Sequence, residues 1–158
     1  MIFVTVGTQL AFDRLIRAVD EWAARSGEVE VFAQIGPGAY RPRHLEYSDF
    51  IAPDECRERM AAADAIVAHA GMGTIIGALE LGKPVLVMPR RADLGEHRND
   101  HQLATADRFS TFGGVQVAAD EHALQARLDA FGARADQAPI GPYASDRLLG
   151  ALSAFING

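Results

Sequence analysis

Ala65-Ile66-Val67-Ala68-His69-Ala70-Gly71-Met72-Gly73-Thr74-Ile75-Ile76-Gly77-Ala78-Leu79-Glu80-Leu81-Gly82-Lys83-Pro84 is the stretch that decides the reading of this chain. A buried run of strand length, Ala65–Ala68, passes into a glycine-rich turn. The turn opens a helix from Thr74 that stops at Gly82 and that Pro84 bars from extending. Such a turn presents bare backbone N–H groups and the positive end of a helix, the combination that holds a phosphate. Gly71 and Gly73 lack a Cβ, which lets a ligand approach the main chain, and Thr74 can cap the helix and offer its hydroxyl. A strand-to-helix turn with no ligand has the same local pattern, so the weight comes from what surrounds it.

Outward from this stretch, strand and helix signals alternate. Ile2–Val6 is an apolar strand and Gly7-Thr8-Gln9 a turn. Phe12, Leu15, Ile16, Val19 and Trp22 recur at helical spacing up to Gly27, and Phe12 and Trp22 read as core. Val29–Gln34 is a second strand, Asp49–Ala52 a third, and a helix runs from Pro53 to about Ala62. Beyond Pro84, Val85–Met88 is a strand, Arg90–Glu96 a polar loop, Asn99 to about Phe109 a helix and Val115–Ala118 a strand. Asp120 caps a helix running to about Phe131. Residues 132–142 read as a loop or linker and 143–158 as a C-terminal helix. Its stripe of Leu148, Leu149, Leu152 and Phe155 suits packing on the domain's own sheet or docking on a partner. The expectation is one α/β domain over residues 1–158, a Rossmann-like parallel sheet with helices on both faces. Ligands on such sheets bind at the carboxyl ends of the strands, where Gly7–Gln9, Gly71–Thr74 and Arg90–Gln102 converge.

Composition narrows the function. The chain has 158 residues, 49% hydrophobic and 23% charged, and a formal charge of −6 with no basic–aromatic run, which argues against nucleic acid. Arg41 and Arg43 read as solvated. The one cysteine, Cys56, can form no internal disulfide or CxxC metal pair and suits a reducing cytoplasm. The N-terminus reads as a strand rather than a leader, and no run of about 18 apolar residues would span a membrane. No DxD pattern is present, and Asp93, Glu96 and Asp100 are irregularly spaced, so no metal is expected.

Phe3-Val4-Thr5-Val6-Gly7-Thr8-Gln9 with Phe12-Asp13-Arg14-Leu15, His69 to Thr74, Leu81-Gly82-Lys83-Pro84 and Asn99-Asp100-His101-Gln102 together resemble the C-terminal, donor-binding domain of glycosyltransferase family 28 over roughly residues 1–130. This is one half of a GT-B fold, and the pattern is most similar to the small separate subunit of two-part glycosyltransferases. The resemblance implies a donor diphosphate held by Gly7, Thr8, Gly71, Met72, Gly73 and Thr74, and a donor sugar held by Asn99, His101 and Gln102. It also implies a base read by backbone near Phe50–Pro53. Family members usually bind the ribose with a glutamate at the position of Gly77, and Glu80 lies on the same helix face three residues on. His69 either lines the cleft or bonds to neighbouring backbone; Arg90 and Arg91 either meet phosphate or a carboxylated sugar or lie on the surface; His97 reads as solvent-exposed.

The function implied is the UDP-sugar-binding catalytic subunit of a two-component, metal-independent glycosyltransferase. It would transfer a hexose or hexuronic acid to a lipid-linked acceptor in exopolysaccharide or capsule synthesis, with no cofactor. The acceptor site and catalytic base would come from a membrane-anchored partner that recruits this cytoplasmic chain to the inner membrane face. The alternatives are a nucleotide-diphosphate-binding regulatory module without transfer activity and a domain related to UDP-sugar epimerases.

Overall fold

The computed structural model describes residues 1–27 and 29–134. Six strands, β1 (Ile2–Thr5), β2 (Val31–Gln34), β3 (Glu46–Ser48), β4 (Ala65–His69), β5 (Val85–Met88) and β6 (Val115–Val117), form one sheet in the order β3-β2-β1-β4-β5-β6. All five pairings are parallel. Helices α1 (Asp13–Ser26), α2 (Pro53–Ala62), α3 (Met72–Glu80) and α4 (His101–Phe109) make crossovers, and α5 (Glu121–Arg134) follows β6. The order reverses direction between β1 and β4, and the loops leaving those two strands part there to open a crevice.

The strands are apolar on both sides because both faces are covered. Ile2, Val4, Ala65, Val67 and Leu86 point to one core with the inner faces of α1 and α5. Phe3, Ile66, Ala68, Val85 and Val87 point to the other with α2, α3 and α4. Alternate residues of β1 therefore serve opposite cores, as a period of two requires. Phe12 and Trp22 are fully buried, and the Trp22 indole N–H reaches Asp129 at 2.9 Å. Gly82, at φ +67°, ends α3 by letting the Lys83 N–H bond to the Ala78 carbonyl, and Pro84 then leads into β5.

Strand β2 and helix α4 each start two residues later than the sequence reading has them, and three further boundaries bear on the site or on the expected linker. The third strand is Glu46–Ser48 rather than Asp49–Ala52: the edge strand is polar and exposed, while the apolar Phe50 and Ile51 line a cleft. Helix α3 begins at Met72 with Gly71 as its cap residue, so Thr74 sits inside the first turn and no side chain caps it. Helix α5 runs through Gly132 to Arg134, which takes the start of the expected linker; the rest of that linker and the expected C-terminal helix lie outside the described residues.

Candidate functional site

Two clefts open at the carboxyl ends of the strands and meet. The first, of roughly 390 Å³, runs between β1, the end of β3, α2 and α3. It is walled by Thr5, Gln34, Phe50, Ile51, Pro53, Cys56, Arg57, Met60, Gly77, Glu80 and Leu81. The second, of roughly 330 Å³, lies toward β5 and takes in His69, Gly71, Arg90, His97 and Gln102. Gly7, Thr8, Gly73 and Thr74 line both and form the shared rim.

The rim is built to receive an anion. The N–H groups of Met72, Gly73 and Thr74 at the open end of α3 have no acceptor among the described residues, and the same holds for the Thr8 N–H. They add to the positive helix end. A Cβ on Gly73 would meet nothing within 4 Å. Gly71 and Gly7 are glycines for another reason: a Cβ there would lie 2.3 Å from His69 Cε1 and 2.9 Å from His69 Nε2 respectively. The imidazole fills the gap between the two loops, so a side chain at either position would collide with it, and Gly7 also sits at φ +79°.

The His69 ring has a fixed tautomer. Gln102 Nε2 donates to Nδ1 at 3.0 Å, so the ring proton sits on Nε2, which faces Thr74 Oγ1 at 3.4 Å. The Thr74 hydroxyl hydrogen is then available to a ligand. Burial, reinforced by the charge of Arg90 and by His97, pushes the His69 pKa down to about 4 and keeps the ring neutral.

Several candidate residues have other tasks. Arg90 is 2% exposed, and its two terminal nitrogens donate to the carbonyls of Val6, Leu10, Ala11 and Glu96, with the guanidinium 4.8 Å from the Phe12 ring centre. These four bonds go to main-chain carbonyls, so Arg90 supports the first loop from beneath while it lines the second cleft. Burial lowers its pKa to about 10, with Glu96 opposing the shift. Arg91 pairs with Asp93 at the surface. Gln102 is buried at the floor of the second cleft; its oxygen accepts from the N–H groups of Ala70 and Arg90, both at 3.1 Å, so its amide joins the two loops. Asn99 and His101 are exposed, the Asn99 side chain accepting from the His101 N–H, and neither lines either cleft. Met72 is also outside both, contributing its N–H alone.

On the first-cleft side, Gly77 and Glu80 both line the wall, Glu80 at its exposed end. A Cβ on Gly77 would meet only Met60 Cε, at 3.6 Å, an ordinary contact, so packing does not require glycine there. Ile51 lines this wall, and its N–H and carbonyl have no partner among the described residues. Cys56 lies half-buried on this wall with its thiol pKa raised by burial. Sequence reasoning missed the cleft positions of His97 and Cys56 and the main-chain bonds of Arg90: the polar loop between β5 and α4 carried no local signal for His97 or Arg90, and the pattern of α2 did not show which side of the helix Cys56 faces. Among the described residues no three His, Cys, Asp or Glu side chains gather as a metal set, and no helix is long and apolar enough to cross a membrane.

The model of the glycosyltransferase family 28 C-terminal domain matches residues 1–139. The UDP-N-acetylglucosamine transferase subunit ALG13 of Homo sapiens is 31% identical over 122 residues, which cover 71% of this chain and 10% of that protein. This chain thus corresponds to about a tenth of the length of that curated relative. Among solved structures, the glycosyltransferase of kitacinnamycin superposes with a TM-score of 0.62 at 21% identity, over 99% of this chain and 39% of that one. A solution structure of ALG13 superposes with a TM-score of 0.60 at 20% identity, over 91% and 89% respectively.

Proposed function

The chain belongs to the glycosyltransferase family 28 C-terminal domain family, and from that premise we propose that it is the donor-binding half of a glycosyltransferase that takes a UDP-sugar. The observation that carries the reading is the junction of the two clefts over the uncapped end of α3. A nucleoside fits the larger, mostly apolar cleft, its diphosphate lies on the N–H groups of Thr8, Met72, Gly73 and Thr74, and the sugar extends into the second cleft. The N–H and carbonyl of Ile51 match the acceptor and donor edge of a uracil imide.

In this reading an acceptor hydroxyl attacks the anomeric carbon, the bond from that carbon to the diphosphate oxygen breaks, and UDP leaves with the electron pair. The acceptor's proton goes to a base on a partner chain. Main-chain donors and the α3 dipole stabilise the growing charge on the leaving group without a metal. The similarity to a transferase subunit supports a partner subunit carrying the acceptor site. We place that partner at the inner face of the cytoplasmic membrane, the acceptor on a lipid carrier, and the transferred sugar among the hexoses or hexuronic acids of an exopolysaccharide or capsule.

Calorimetric titration of the full chain with UDP, ADP and GDP tests the site. Selective UDP binding that weakens about tenfold in Thr74→Ala is expected; equal affinity for the three, or none, would overturn the reading. Gly77, where the family resemblance implies a ribose-binding glutamate, favours one rival: a nucleotide-binding module without transfer. Transfer from a UDP-sugar that appears only when a second protein is added supports the enzyme reading, and UDP binding with no transfer in any such complex supports the module.

A further inference from the structure

We propose that His97 contacts the β-phosphate of the bound nucleoside diphosphate, held in place by a latch that closes on Glu96; the assignment rests on the UDP-sugar reading above. His97 lines the second cleft and not the first, whereas Gly7, Thr8, Gly73 and Thr74 line both. A ligand with its nucleoside in the first cleft and its phosphates on the rim therefore reaches His97 only with the groups beyond the α-phosphate.

The residue before His97 is tethered through both its side chain and its main chain. The Glu96 carboxylate receives Arg14 Nε and Nη2, each at 2.9 Å, and the Arg91 N–H at 3.0 Å. Its carbonyl accepts from Arg90 at 3.4 Å. Arg14 in turn donates to Glu121 at 2.7 Å and to the Pro89 carbonyl, which ties the loop to α1 and α5. Gly95 makes the turn into Glu96 at φ +72°. This fixes the backbone at residue 96, and the half-buried His97 ring follows directly at the cleft.

The ring is also oriented for donation. The Asn99 N–H points at His97 Nδ1 at 3.4 Å, so Nδ1 accepts and Nε2 is the ring's donor. Nε2 has no acceptor among the described residues. The other buried polar side chains on this side of the rim have theirs: Gln102 is bonded to main chain and to His69, and Arg90 to carbonyls. Gln9 also lines the cleft, but from an exposed loop position with no tether of its own.

Titration of the full chain and of His97→Ala with UMP and with UDP separates a β-phosphate contact from a structural role. UDP affinity is expected to fall about tenfold in the variant while UMP affinity stays within twofold. His97→Gln, which keeps an N–H donor, should recover part of the loss. Unchanged UDP affinity in His97→Ala, or an equal loss for UMP and UDP, would overturn the proposal while leaving the nucleotide site standing. A wild-type chain that binds neither would overturn the site reading and this assignment with it.

Discussion

The loop after β5 and the segment between β2 and α2 flank the same switch point, and both are moored to α1, but by opposite charges. On the β5 side, Arg14 of α1 reaches Glu96 and Glu121, and the buried Arg90 gathers carbonyls of the first loop. On the β2 side, Asp20 of α1, itself 2% exposed, accepts from the Tyr40 hydroxyl at 2.6 Å and from the N–H groups of Arg43 and His44, while Asp13 accepts from the Ala39 N–H. A guanidinium collects carbonyls and a carboxylate collects N–H groups, so each moors irregular backbone that has no ladder of its own. The β5 mooring holds the loop that lines the second cleft at Arg90 and His97, whereas the β2 mooring holds residues 39–44, which line neither cleft.

The comparison breaks most visibly at Arg90. Arg90→Met removes the donor to three carbonyls of the first loop, and a loss of about 3 kcal/mol or more is expected in urea unfolding, together with loss of UDP binding. A loss below about 1 kcal/mol would mean that the loop holds itself.

Acidification probes the same side through His69. Its folded pKa of about 4 lies below the ordinary value of 6.5, so between those values the unfolded chain binds the extra proton. The His69 contribution is complete above about pH 6.5 and is lost as the pH falls toward 4, by roughly 3 kcal/mol. Chemical denaturation across that window should show a steeper decline in the wild type than in His69→Gln, and parallel curves would refute it.

On the β2 side, Asp20→Ala orphans the N–H groups of Arg43 and His44 and is expected to cost about 2 kcal/mol. The hydrogen bond to Asp20, with burial and the Asp20 charge, holds the Tyr40 pKa up at about 12. Alkaline absorbance titration of the variant should show Tyr40 falling back toward 10; a value that stays near 12 would detach the loop from α1. The smallest effect is a gain. Gly77→Ala should stabilise α3 by about 1 kcal/mol, since the added methyl meets only Met60 at van der Waals distance. An accompanying drop in uridine affinity would show that the glycine leaves room for the ligand.

Much of the fold was legible because it rests on local pattern. The apolar run Val85–Met88 between Pro84 and Pro89 could be placed to the residue, and the glycine turn after Ala65–His69 announced the crossover into α3. The third strand was not legible, because Glu46-Tyr47-Ser48 is a polar edge strand held by one neighbour, while the apolar signal next to it belongs to the cleft wall at Phe50 and Ile51. The moorings were illegible for a different reason. Arg14 and Glu96 stand 82 residues apart and Arg90 and Val6 stand 84 apart, so no window of sequence contains both ends. Gln102 was read toward a sugar from its place in a motif, yet its amide links the ends of β4 and β5. His69 left two readings open, cleft lining or bonding to neighbouring backbone, and its ring lines the second cleft with side-chain partners, Gln102 and Thr74, on its two nitrogens.

The central claim is that one ligand bridges the two clefts across the open end of α3. Amide-resolved NMR of the full chain titrated with UDP tests it most directly. The account predicts that the signals of Thr8, Gly73 and Thr74 on the rim shift together with Ile51 on the nucleoside wall, along a single saturation curve. Shifts confined to one cleft, or clustered away from Gly73 and Thr74, would contradict it.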